Sequence, residues 1–122
     1  MMRAVSVWDG DGSGPPRISP DHEKLPTDIV ARVVAYLDAA PCILRTTATS
    51  EDVVEPGRAK VGLSVYTDGE WIWGDSLRYY IESYGLAPSP GDFLRRLEQR
   101  DFMMPSVTDE QLREAAELLR VP

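Results

Sequence analysis

Apolar residues recur along this chain of 122 residues with two periods, one helical and one extended. Ile29, Val30, Val33, Val34 and Leu37 fall on one stripe of a helix. Pro26 or Thr27 opens that helix and Pro41 closes it. Three more helical stripes lie toward the C-terminus. The first starts at Asp75, a good N-cap, buries Leu77, Tyr80, Ile81 and Tyr84, and ends at Gly85 with Leu86 behind it. The second opens at Ser89-Pro90 and buries Phe93, Leu94 and Leu97. The third opens with the capping box Thr108 to Gln111, with Val107 stapled on Leu112, and buries Leu112, Ala115, Ala116 and Leu119.

The extended segments alternate or run short. Ala4–Trp8 predicts a first strand, with Val5 and Val7 on one face and Ser6 and Trp8 on the other. Cys42–Thr47 predicts a second. Residues 9–20 and 51–58 are rich in Gly, Pro and polar side chains and read as loops. Lys60–Gly74 is the clearest local signal: two β-prone runs flank Asp68-Gly69, a dipeptide suited to a type I′ turn. A turn centred there sets Tyr66 opposite Trp71 and Ser64 opposite Trp73. Val61, Leu63, Val65 and Ile72 then share one face, and Tyr66, Trp71 and Trp73 share the other. The expected order is β-α-β-β-β-α-α-α. This is a single α+β domain over residues 1–122, with a small, mainly antiparallel sheet of about four strands, one N-terminal helix and a C-terminal cluster of three helices.

Charge and composition narrow the functional classes. Twenty acidic residues against thirteen basic ones give a net charge of −7. An acidic surface repels nucleic acid and anionic lipid, so neither is an expected partner, whereas a basic protein is the electrostatic complement. The single cysteine, Cys42, allows no disulfide within the chain. It sits at the start of an apolar run and reads as a structural thiol. The polar N-terminus does not read as a signal peptide, and the apolar runs fall short of a membrane helix, so a cytoplasmic location is expected.

Three places invite chemistry. The aromatic hairpin face is either covered by a helix or open as a docking surface. If it is open, Tyr66, Trp71 and Trp73 are the anchors, Asp68, Glu70 and Asp75 are steering charges at its rim, and Tyr79 lies beside it. Asp9-Gly10-Asp11-Gly12-Ser13-Gly14 carries the first half of a calcium loop, but Pro20 stands where a bidentate Glu belongs, so no metal is expected. His22, between Asp21 and Glu23, has the neighbours of a general base but no nucleophile motif near it. No catalytic residue and no cofactor are expected, and the chain does not read as an enzyme.

The segment Thr67–Tyr80, T-D-G-E-W-I-W-G-D-S-L-R-Y-Y, resembles a T-D-G-x-W-x-W-x5-Y-Y pattern of short uncharacterised bacterial proteins, continued here by Pro90-Gly91-Asp92-Phe93-Leu94. In size and charge the chain is also similar to small acidic immunity proteins, which neutralise a toxin by binding it. That likeness implies a protein-binding module whose partner is a basic toxin. The alternatives are a small enzyme or ligand-binding protein with a pocket between the hairpin and the C-terminal helices, or a homodimer joined through the aromatic face.

Overall fold

A computed structural model describes residues 2–9 and 15–119. The fold is α+β, with elements in the order β1 (Arg3–Ala4), α1 (Thr27–Asp38), β2 (Cys42–Leu44), β3 (Thr49–Glu51), β4 (Lys60–Gly62), β5 (Val65–Thr67), β6 (Trp71–Gly74), α2 (Asp75–Tyr84), α3 (Gly91–Gln99) and α4 (Asp109–Leu118). Strands β1-β6-β5-β2 form one sheet in that order, and β3 pairs with β4 in a second. The larger sheet is mixed, because β1 runs parallel to β6. The first strand is thus shorter than the alternation over Ala4–Trp8 predicts. Beyond Ala4 the chain turns to pair Ser6 with Ser89, through backbone bonds of 3.0 and 2.7 Å. The expected second strand stops at Leu44, and Thr49–Glu51 forms a strand where the polar sequence suggests coil and loop.

The β5–β6 hairpin forms, but one residue along from the expected register. Tyr66 faces Trp73 and Thr67 faces Ile72. Asp68 flanks the turn instead of occupying its centre. Its N–H reaches the Trp71 carbonyl at 3.3 Å, which leaves Gly69 and Glu70 as the central pair. Only Gly69 has positive φ, +97°, which matches glycine at the first central position of a type II′ turn. A Cβ at Gly69 would fall 2.9 Å from the end of the Gln111 side chain of α4, which would have to shift, and the positive φ is the stronger constraint on that position.

The expected run from Val61 to Tyr66 is two strands. It breaks at Ser64, whose N–H donates to the Asp75 carboxylate (3.0 Å) and whose carbonyl accepts from the Asp75 N–H (2.9 Å). Asp75 is therefore not an N-cap. Gly74 holds that position, and the Asp75 side chain reaches across to the neighbouring strand. Ser89 does not cap α3 either; Pro90 does. The capping box of Thr108 and Gln111 is present, and Gly85 ends α2 at φ 68°.

Of the two outcomes the sequence leaves open for the aromatic hairpin face, cover is the one realised. The register slip moves the cross-strand sum by two, so Tyr66, Trp71 and Trp73 still share a face. That face is the core. Trp71 and Trp73 are 4% and 3% exposed, and the Phe93 ring of α3 meets both edge-on, with centroids 5.4 and 5.8 Å away. Tyr36 of α1 packs edge-on against Phe93 from the other side, at 6.3 Å. The aliphatic face is the wetter one: Leu63 is 42% exposed, and Val65 and Ile72 are half-buried. The expected C-terminal three-helix cluster is also corrected. Helix α2 packs on α1, α3 seals the tryptophans, and α4 lies against β2.

Trp73→Ala or Phe93→Ala should therefore cost about 3–5 kcal/mol of unfolding free energy, as large-to-small changes in a packed aromatic core do. Urea denaturation checks this; a loss under 1 kcal/mol would show that the aromatic layer is not the core.

Candidate functional site

The expected site residues separate into four environments. Asp68 is 1% exposed and does not steer anything. Its Oδ1 accepts the Glu70 and Trp71 N–H groups (2.9 and 2.8 Å), and its Oδ2 accepts the Tyr36 hydroxyl (2.6 Å) and Arg100 (3.2 Å). Glu70 is tied to Arg96 and Arg100 by bonds of 2.6 to 3.1 Å. The Arg96 bond lowers the Glu70 pKa, burial opposes it, and Arg100 adds to the lowering. Burial, then the Asp68 carboxylate, raises the Tyr36 phenol above its ordinary value, so it stays a donor. An arrangement with four donors around one carboxylate leaves no lone pair for proton traffic. Asp68 is thus neither at a wet tip nor short of donors.

Trp71 lies under the Arg3 guanidinium, 4.6 Å from its ring centroid, and has no free face. Without exposed tryptophans, anchoring of a partner or of a second copy through the aromatic face has no surface to use. Tyr79 does not join that face. Its hydroxyl donates to Asp52 at 2.6 Å, as does that of Tyr84.

Asp52 was hidden in a segment read as polar loop. It is fully buried, and its other oxygen accepts the Val54 and Glu55 N–H groups at 2.7 and 2.8 Å. Burial pushes its carboxyl up, but the bonds from Tyr79, Tyr84 and the two backbone groups pull it down, and the net effect is a lowered pKa. The Asp52 bond and burial together raise Tyr79 to about 12. The signal in the sequence was the tyrosine spacing at 79, 80 and 84, whose hydroxyls need partners once their rings are packed.

His22 is also committed. Its Nδ1 lies 2.9 Å from Asp9 Oδ2 and its Nε2 lies 2.8 Å from the Ala87 carbonyl. Neither partner has a proton to offer when Asp9 is ionised, so both ring nitrogens donate and the ring is an imidazolium. Burial lowers the His22 pKa, but the Asp9 and Ala87 bonds outweigh it and the net shift is upward. Asp9 is lowered, first by His22 and then by the Ser19 N–H. The rest of the expected calcium half-loop, Gly10 to Gly14, lies outside the described residues. Among the described residues no cluster of three or more metal-ligating side chains occurs, and no helix is long and apolar enough to cross a membrane. Cys42 is half-buried on β2 opposite Tyr66.

The remaining three positions do converge. Tyr66, Trp73 and Asp75 line a cavity of about 180 Å³, closed by Leu37 and Asp38 of α1 and Arg78 of α2. Arg78 holds Asp38 through two of its nitrogens and Glu82 through a third. Burial, followed by Asp75, raises the Tyr66 phenol to about 12, so it remains protonated. Asp38 and Glu82 also border a shallow groove of about 460 Å³ along α1, floored by Val30, Ala31, Val34 and Ala35. These α1 positions recur at i, i+1, i+4 and i+5 spacings, on one side of the helix. Val30 and Val34 are half-buried against the edge of the core, and the outward positions beside them, where a surface helix ordinarily carries polar residues, are alanines. Ala31 and Ala35 are exposed there. Asp38 lines both the cavity and the groove. No protein-family model, no curated protein and no solved structure matches the chain.

Two predictions follow from these commitments. Asp68→Ala strands Arg100, Tyr36 and two backbone N–H groups, and should cost about 3–5 kcal/mol. Asp68→Asn should recover part of that loss; equal stability of the alanine variant and wild type in urea would disprove the tie. The His22 contribution is fully present below the unfolded value of 6.5 and is lost as pH rises through the raised folded value. The Asp9 contribution is present above 3.8 and is lost as pH falls through its lowered folded value. The stability difference between wild type and His22→Gln should thus peak between those limits and shrink on both sides. A difference that does not change with pH would remove the charged clamp.

Proposed function

We propose that this domain is a protein-binding module of the immunity type, which captures a basic partner over the outer face of α1. The observation that supports this reading is the shallow apolar groove of exposed Ala31 and Ala35 and half-buried Val30 and Val34, bordered by Asp38 and Glu82. An amphipathic segment laid in such a groove covers the alanines and valines and meets carboxylates at the edge. The electrostatics agree. The net charge is −7, and α4 (D-E-Q-L-R-E-A-A-E-L) adds four acids against one base. That long-range field favours encounter with a basic protein, while the apolar floor supplies contact area. A small-molecule carrier is supported less, because the cavity of about 180 Å³ falls below the roughly 300–1,000 Å³ of ligand pockets and the groove of about 460 Å³ is shallow and open.

Ala31→Arg/Ala35→Arg tests the surface. Both side chains face water and both replacements favour helix, so the variant should melt within a few degrees of wild type. It should lose partner binding by at least about 100-fold, since two cations then occupy the contact centre. In the source organism, tagged wild type should retain a basic protein that the double variant does not. If the partner is a toxin, expressing it alone should arrest growth and adding this chain should restore it. An acidic partner, or a basic one retained equally by the variant, would refute the reading.

A further inference from the structure

We infer that the cavity between α1, the hairpin and α2 receives one lysine or arginine side chain of that partner; this rests on the docking reading above and assigns the site within it. The first argument is volume. About 180 Å³ is too small for a cofactor or drug-sized molecule and suits a single side chain. The second is the lining. Tyr66 and Trp73 provide aromatic walls, Leu37 provides an aliphatic one, and Asp38 and Asp75 bring carboxylates to the same space. An alkyl stem ending in a cation matches that combination at every point: methylenes on the rings and leucine, the charged head on carboxylate and π-cloud.

The third argument is charge. One cation, Arg78, belongs to the wall, but its nitrogens are engaged by Asp38 and Glu82. In the lining itself two carboxylates, Asp38 and Asp75, stand against that one guanidinium. Arg45 is close enough for its charge to act on the Tyr66 phenol, yet it does not line the cavity. Asp75 uses Oδ2 to accept the Ser64 N–H, and the Tyr66 hydroxyl bonds to the same carboxylate. An incoming ammonium or guanidinium therefore meets a carboxylate already held in place by the strand and by the ring beside it. Such preorganisation is what makes a cation site selective, because the acceptor loses little freedom on binding.

The fourth argument is continuity. Asp38, a wall of the cavity, is also the residue that ends the apolar groove. A segment lying along α1 and carrying one basic residue near its end would bring that residue to the cavity mouth.

Nuclear magnetic resonance on the intact chain tests this with two probes, N-acetyl-lysine methylamide and N-acetyl-norleucine methylamide, which keeps the alkyl stem and lacks the ammonium. The lysine probe should shift the Trp73 indole and Asp75 amide signals with millimolar affinity, and the norleucine probe should not. Asp75→Asn keeps an oxygen for the Ser64 N–H, so it should remain folded and bind the lysine probe about 10-fold more weakly. Equal shifts with both probes, or no effect of Asp75→Asn, would overturn the assignment. The same variants separate this inference from the reading beneath it. If Ala31→Arg/Ala35→Arg abolishes partner binding while Asp75→Asn leaves its Kd unchanged, the cavity assignment fails and the groove stands. If Asp75→Asn weakens the partner while the double arginine variant does not, the groove fails and the cation site stands.

Discussion

The carboxylate of Asp68 is the tie on which this architecture depends. A buried ion costs several kcal/mol to desolvate and is tolerable only where donors replace the lost water. Four donors do so here, and they come from three elements: the hairpin turn, Tyr36 of α1 and Arg100 just beyond α3. Meeting the carboxylate's needs therefore fixes where α1 and the end of α3 stand relative to the hairpin. With those two helices held, Phe93 sits between Tyr36 and the two tryptophans, and the aromatic core closes. Glu70 extends the tie outward through Arg96 and Arg100. Such networks are asymmetric: the complete set contributes a modest net stability, whereas removal of one member leaves the others buried and unpaired.

Asp52 repeats the design at the other end of the core. One oxygen again holds two backbone N–H groups of a turn, and the other again holds side chains, here two phenols from α2. The β3–β4 connection has little apolar surface of its own, with Val53 and Val54 both partly open to water. A buried aspartate can anchor such a loop where hydrophobic contact cannot. Among the described residues, no buried side-chain nitrogen or oxygen lacks a partner, which is the condition under which two interior carboxylates are compatible with a stable fold.

Features legible in the sequence were those decided locally. The Thr108 capping box, the Gly85 terminus and the stripes of α1, α2 and α3 need only residues within one or two turns of each other. The hairpin faces survived an error in register because the slip was even. What escaped were choices made across distance. The Asp-Gly dipeptide favours a centred turn, but burial under α1 and α3 gives Asp68 more donors as a flanking residue than it would have at a wet tip. The run through Ser64 reads as one strand until Asp75, eleven residues on, takes its N–H. The hydrophobic pattern separates the two hairpin faces, but not which of them a helix will cover. The cavity shared by Tyr66, Trp73 and Asp75 was thus half visible: the residues stood out, but their partners Asp38 and Arg78 come from helices whose placement the pattern leaves open.

Once the interior has taken Asp52, Asp68 and the tryptophans, the distribution of what remains is informative. Helix α1 carries only Asp28, Arg32 and Asp38 as charged residues in twelve positions. It spends Val33, Tyr36 and Leu37 on the core and still presents alanine and half-buried valine outward. Solubility alone would favour lysine or glutamate at Ala31 and Ala35, at no cost to helix formation or packing. Small apolar residues there leave the helix surface low and smooth, as close approach by another chain requires. The carboxylates that edge this strip belong to the same Asp38–Arg78–Glu82 set that walls the cavity. One ion-pair group thus borders an apolar strip on one side and a cation-sized space on the other, and a basic amphipathic segment is the simplest shape that satisfies both.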